Sequence, residues 1–210
     1  GFESVITEFY DACEVLAFKL LGAIALNLGV QERSLDVGFQ PGHTSFLRLN
    51  YYPTCPGPSG PAGGEASDEI RLGINAHTDA GALTILLHGR QTGLQVFHHG
   101  LWETIEANEG SLLVNIGDIV QVWSNDRYAA PLHRVFTSMN EVRFSAPFFF
   151  NPSYKMNYQP LESTVSSGNP ARYRPVNWGD FRSQRALGDY GDYGEEVQVE
   201  QYRLPLEGVT

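Results

Sequence analysis

Six histidines occur in the chain, at positions 43, 77, 88, 98, 99 and 133, and only His77 has a carboxylate two residues on, in the run His77-Thr78-Asp79. Side chains two apart on an extended segment point to the same side, so this imidazole and carboxylate can face one metal ion. A further imidazole from His133 would complete two nitrogens and one carboxylate oxygen. That set covers one face of an octahedron and leaves three positions open, as a metal needs when a bidentate cosubstrate and dioxygen must bind together. A His-x-Asp pair by itself arises readily by chance, and its plain alternative is a histidine satisfied within a sheet. His88, His98 and His99 lack a carboxylate at this spacing and are expected to be dispensable.

The segment around His133 adds a second functional group. The runs 131–136 (Pro-Leu-His-Arg-Val-Phe) and 141–147 (Glu-Val-Arg-Phe-Ser-Ala-Pro) are strand-like and separated by a short polar connection, which predicts a hairpin. In such a pair His133 lies near Ser145, with Arg143 one pleat along on the same face, the register being open. Arg143 sits among Val142, Phe144, Ala146 and Phe148, where an unpaired guanidinium is costly, so it requires a carboxylate partner. A fork-shaped donor beside a metal suits a dicarboxylic acid; the alternative is a surface arginine paired with Asp or Glu.

These residues must be positioned by some scaffold. The first thirty read as one packing helix, with Ile6, Phe9, Cys13, Leu16, Leu20, Ile24 and Leu28 as its apolar stripe and Gly29 as its left-handed cap. From Ser45 the texture becomes short β-branched and aromatic runs between Gly, Pro and Asn clusters, predicting strands at 45–52, 70–76, 83–87, 93–98, 101–106, 111–116, 131–137 and 141–150. A Pro/Gly-rich surface loop covers 55–67, and a short helix is predicted near 178–187. Tyr51, Trp102 and Trp123 read as core or cavity wall. The pattern predicts an all-β sandwich or barrel with flanking helices, organised as a 1–30 helix, a 45–152 core and a 153–210 extension.

Composition narrows the partners. The 210 residues are 42% apolar and 18% charged, enough for a real core, and the net charge of −10 disfavours nucleic acid and anionic membranes. The best apolar window, Val15 to Val30, is interrupted by Lys19 and Asn27, so no membrane span is expected. There is no basic leader-like segment and no initiator Met, and two cysteines, Cys13 and Cys55, make no disulfide framework. The expectation is a cytoplasmic protein acting on a small molecule, with the oligomeric state open.

Several ordered pieces carry a resemblance. They are Asn50-Tyr-Tyr-Pro53, His77-Thr-Asp79, Gly93-Leu-Gln-Val96, Val114-Asn-Ile-Gly-Asp118, Trp123-Ser-Asn125, Leu132-His-Arg-Val135, Arg143-Phe-Ser145 and Phe150-Asn-Pro152. Together they resemble the 2-oxoglutarate- and Fe(II)-dependent oxygenase superfamily, in its isopenicillin N synthase-like branch. The resemblance implies a double-stranded β-helix (jelly roll) in which His77, Asp79 and His133 bind Fe(II). It implies that Arg143 and Ser145 grip the distal carboxylate of 2-oxoglutarate, and that Asn50 and Tyr52 line the cosubstrate.

The implied reaction consumes dioxygen and 2-oxoglutarate, releases succinate and carbon dioxide, and hydroxylates, desaturates or cyclises a small organic molecule, with ascorbate stimulating turnover. Two rivals share the fold: an Fe(II) oxidase that uses no 2-oxoglutarate, and a non-catalytic jelly roll holding Zn(II) in the same ligands. Members of this family carry a further N-terminal segment that helps to enclose the primary substrate. A chain beginning at Gly1 is therefore expected to bind iron and cosubstrate but to couple the reaction poorly.

Overall fold

The computed structural model describes residues 1–54, 72–138, 141–190 and 197–205. Helix α1 spans Phe2–Asn27, and Gly29 beyond it takes a φ of 81°, the left-handed conformation that a side chain would oppose. Of the predicted apolar stripe only Cys13 and Leu28 are buried; the contact line is Cys13, Ala17, Leu21, Ala25 and Leu28. Cys13, Ala17 and Ala25 on that line are small and let the helix approach the sheet closely. The larger Leu16, Leu20 and Ile24 lie half-buried on its flanks.

The strands are β1 (Phe46–Leu47), β2 (Asn50–Tyr52), β3 (Leu72–His77), β4 (Leu83–His88), β5 (Leu94–His98), β6 (Leu101–Thr104), β7 (Leu113–Ile116), β8 (His133–Phe136) and β9 (Arg143–Phe150). They follow the predicted runs, with 45–52 broken into β1 and β2. Residues 70–71 and the 55–67 loop lie outside the described residues. In the larger sheet β9 pairs with β1, β2 and β4, and β4 pairs with β7; in the smaller the order is β3-β8-β5-β6, all antiparallel. A short pair, β10 (Asn157–Tyr158) with β11 (Val176–Asn177), and helix α3 (Trp178–Tyr190) follow. Helix α2 (Asp118–Trp123) has no counterpart in the sequence reading.

The predicted hairpin is not formed. β8 pairs with β3 and β5, whereas β9 pairs with β1, β2 and β4, so the two strands lie in opposite sheets. Alternation along each strand shows which face is buried, but not which neighbour it pairs with, and a short connection can cross between layered sheets as readily as it can turn back. Arg143 and Ser145 therefore approach the cavity from the sheet opposite His133.

Strand alternation divides the interior in two. Phe148 and Phe150 of β9, with Leu83 and Ile85 of β4, face α1 and pack with Phe39 and Trp123; Phe39 stacks on Phe150 with centroids 4.2 Å apart. Each fully buried phenylalanine contributes roughly 1.5–3 kcal/mol. The intervening residues Arg143, Ser145, Pro147 and Phe149 point between the sheets, beside a small cluster of Tyr52, Leu86, Leu94 and Val135. This is the antiparallel two-sheet architecture of a jelly roll.

Candidate metal centre

His77 ends β3 and His133 begins β8, directly opposite each other in register, with ring centroids 4.3 Å apart. An irregularity in the β3–β8 pairing between Ile74 and His77 re-aims the strand end. The Nδ1 atoms lie 2.7 Å from the Asn75 carbonyl and 3.0 Å from the Pro131 carbonyl, respectively. Donating Nδ1–H to those carbonyls leaves each Nε2 with a free lone pair.

Both Nε2 atoms are 3.8 Å from Oδ1 of Asp79. The other carboxylate oxygen, Oδ2, accepts hydrogen bonds from the Thr84 hydroxyl at 2.6 Å and the Asn115 amide at 2.8 Å. One oxygen is thus anchored while the other is presented to the histidines. One ligand atom from each of the three residues lies within 4.8 Å of the others.

Burial, and after it the neighbouring His133, holds the His77 imidazole below its ordinary range. At Asp79 burial pushes the carboxyl upward, but His133, Thr84, Asn115 and His77 together hold it below the usual range. A neutral imidazole and an ionised carboxylate are the forms that bind a metal.

The backbone of the loop is also held. The Asp118 N–H donates to the Asp79 carbonyl and the Gly117 N–H to the Ala82 carbonyl, both at 2.8 Å. A Cβ on Gly117 would stand 2.2 Å from the Gly81 oxygen and 2.6 Å from the Asp79 oxygen, so this approach requires glycine. The Asp118 carboxylate pairs with Arg185 at 2.6 Å; burial, against the pull of Arg185, pushes it up to about 6.

Between the sheets lies a cavity of about 60 Å³ lined by His77, Asp79, His133, Arg143, Ser145, Asn50 and Tyr52, among others. Arg143 is 3% exposed, and its Nε and Nη1 have no hydrogen-bond partner among the described residues. The carboxylate expected to pair with it is not found among the described residues; instead its guanidinium lies 4.9 Å from the centre of the Tyr52 ring. Asn50 donates to the Ser145 hydroxyl at 3.2 Å, and β2 sets Asn50 opposite Ser145 and Tyr52 opposite Arg143. A second cavity, of about 470 Å³, shares Arg48, Ile74, His77, Asp79 and Phe149 with the first and adds, among others, Trp178 and Arg182 from α3.

All seven residues singled out from the sequence therefore line one cavity. Two aromatic expectations are corrected. Tyr51 is 59% exposed and pairs with Phe144 on the outer face, since its neighbours Asn50 and Tyr52 occupy the inner one. Trp102 lies half-buried on β6, where the Arg134 guanidinium covers its ring at 3.9 Å; Trp123 is buried in the core as expected. Sequence reasoning gave no role to Thr84, Asn115, Asp118 or Arg185, although Asn115 and Asp118 belong to one of the ordered motifs. Asn115 and Asp118 left a signal, as polar residues inside the otherwise apolar run 112–120.

Comparison with known proteins places this geometry in context. The family model described as the 2OG-Fe(II) oxygenase superfamily matches residues 43–152. The chain is 35% identical to jasmonate-induced oxygenase 2 of Arabidopsis thaliana over 180 residues, covering 85% of this chain and 46% of that protein. It is 36% identical to leucoanthocyanidin dioxygenase of Petunia hybrida, covering 80% and 38%. A crystal structure of JOX2 in complex with 2OG, Fe and JA superposes with a TM-score of 0.81 at 32% identity, covering 96% of this chain and 56% of that one. Full-length Neurospora crassa T7H in complex with alpha-KG gives 0.77 at 27% identity, covering 90% and 58%. The chain spans half or less of the length of these curated relatives.

Proposed function

The chain belongs to the 2OG-Fe(II) oxygenase superfamily, and from that premise we propose that it is a 2-oxoglutarate-dependent non-haem iron dioxygenase acting on a small organic molecule. His77, Asp79 and His133 would hold Fe(II), for which two Nε2 lone pairs and one presented carboxylate oxygen form a fitting donor set. Arg143 and Ser145 would hold the distal carboxylate of 2-oxoglutarate. The observation that carries this reading is the buried Arg143 fork, whose Nε and Nη1 have no hydrogen-bond partner among the described residues. A buried guanidinium left so is costly, and a bidentate carboxylate removes the cost.

When bound, iron supplies dioxygen activation coupled to decarboxylation of 2-oxoglutarate, leaving succinate and carbon dioxide while a substrate C–H bond is oxidised. The protein's share is geometric. Asn50 orients the Ser145 hydroxyl, Tyr52 supports the guanidinium from its ring face, and Leu86, Leu94 and Val135 keep that end of the cavity apolar. Asn115 and Thr84 hold Asp79 so that one oxygen stays free.

The larger cavity, lined by Arg48, Phe149 and Trp178, is our candidate for the primary substrate, with the 153–210 extension supplying part of its wall. Residues 45–152 form the catalytic core in this reading, covered on one side by the 1–30 helix. Among the described residues no helix is long and apolar enough to cross a membrane, and the thiol of Cys13 is free and buried; we read the compartment as the cytoplasm.

The test is to supply Fe(II), ascorbate and 2-oxoglutarate under air and measure succinate, with a panel of small organic molecules screened for stimulation. Succinate formation that depends on Fe(II) and disappears in Arg143→Ala is expected. Substrate oxidation without succinate would overturn 2-oxoglutarate dependence, and iron-free protein with no oxygen uptake would overturn the enzyme reading.

A further inference from the structure

We propose that Arg185, on α3 and outside the family-matched residues 43–152, is a positioning residue for the metal centre; the inference rests on the metal reading above. Arg185 is 3% exposed. Its Nη1 donates to Asp118 Oδ2 at 2.6 Å and its Nη2 donates to the Thr78 carbonyl at 2.6 Å. Thr78 lies between His77 and Asp79.

The consequence follows from the covalent geometry of Asp79. Two planar peptide groups meet at its Cα, and their orientation sets where its side chain points. The carbonyl of the preceding plane is Thr78's, held by Arg185. The carbonyl of the following plane is Asp79's own, held by the Asp118 N–H at 2.8 Å. Arg185 and Asp118 are themselves ion-paired, so one buried unit grips both planes.

Residues 78 and 79 lie beyond the end of β3, where no ladder partner orients them. Arg185 provides the restraint that the sheet does not. A guanidinium suits this task because its donors sit in a rigid planar fork, and two partners held at once fix the distance between them. The Phe181 ring, 5.8 Å from the guanidinium carbon and itself fully buried, supports the side chain. Through this contact α3, whose Trp178 and Arg182 line the larger cavity, is mechanically joined to the ligand loop.

The experiment is a Co(II) titration under nitrogen, read by calorimetry and by the visible absorption of the bound ion, on wild type, Arg185→Lys, Arg185→Met and Asp118→Asn. Thermal unfolding is measured in parallel. Leu21→Ala in α1, an element that lends no side chain to either cavity, serves as a control that lowers stability. Lysine keeps a charge for Asp118 but cannot hold both partners in one plane. We expect Arg185→Lys to remain folded while its Co(II) affinity falls about ten- to a hundredfold, with a changed visible spectrum, the size usual for losing an outer partner of a metal ligand. Leu21→Ala should lose stability and keep both affinity and spectrum.

Arg185→Met tests the same point more severely; if it does not fold, Arg185→Lys and Asp118→Asn decide. Unchanged affinity and spectrum in those variants, or an equal loss in Leu21→Ala, would show that Arg185 merely anchors α3 and would overturn the proposal. Failure of the wild type to bind Co(II) is a different result: it would overturn the metal reading, and this inference with it.

Discussion

At the residue scale the proposed site has two separable halves. His77, Asp79 and His133 present donor atoms to one point, and Arg143 with Ser145 presents hydrogen-bond donors in the same cavity. His133→Ala should therefore abolish tight Fe(II) binding, measured as metal stoichiometry after gel filtration, while a His98→Ala, His99→Ala double variant keeps it. Retained iron in His133→Ala would rule out the triad. Arg143→Lys keeps the charge and loses the fork. Charge-assisted hydrogen bonds contribute roughly 1.5–3 kcal/mol each, so 2-oxoglutarate affinity should fall about ten- to a hundredfold with Fe(II) binding intact. Equilibrium dialysis of 2-oxoglutarate against both proteins checks this, and equal binding would leave Arg143 a purely structural residue.

At the element scale, close backbone approach decides what is tolerated. The α1 face that meets the sheet is lined by Ala17 and Ala25, each fully buried, beside Leu21. Ala17→Leu should cost about 1–3 kcal/mol by overpacking, whereas the same change at the exposed Ala23 should cost far less. Urea unfolding of the two variants measures the difference; equal losses would mean that α1 does not pack on this face. Gly117 is the sharper case, because its φ is ordinary and the constraint is purely steric. The added methyl of Gly117→Ala meets the backbone oxygens of Asp79 and Gly81, in the loop of the proposed metal ligand. We expect it to lose metal affinity along with stability, and a variant with normal Co(II) binding would contradict the packing described.

At the scale of the whole molecule, the tail is tied to the core through the turn after α2. Asn125 accepts from the Arg172 N–H and donates to the Pro170 carbonyl. Asp126 accepts from the Tyr173 hydroxyl at 2.5 Å, and from Arg203 at 2.6 and 3.1 Å. Burial would raise the Asp126 carboxyl, but hydrogen bonds from Arg203 and Tyr173 and the charge of Arg203 outweigh it and hold the group below its ordinary value. A depressed folded-state value means that ionised Asp126 stabilises the fold above the unfolded carboxylate range, near pH 4. That contribution is lost as the pH falls through the lower folded value. Asp126→Asn should therefore cost about 1–3 kcal/mol at neutral pH and converge on wild type in acid, followed by urea unfolding from pH 7 to pH 2. Parallel curves would show that the tail is held by packing alone.

What the sequence determined by itself was local. Period-2 alternation in 141–150 placed Arg143 and Ser145 on one face, the spacing of His77 and Asp79 placed them on one side, and Gly29 marked the end of α1, because these properties depend on backbone geometry within a few residues. The ordered motifs then identified the family. Only the tertiary structure decided who meets whom. The assignment of β8 and β9 to opposite sheets, the pairing of His77 with His133, and the grip of Arg185 on Asp118 and Thr78, 67 and 107 residues away, are non-local. Such contacts are chosen by competition among whole arrangements of strands and helices. An exposed arginine and one clamping a metal loop look the same in a string of letters, since burial, which makes the difference, is a property of the assembled fold.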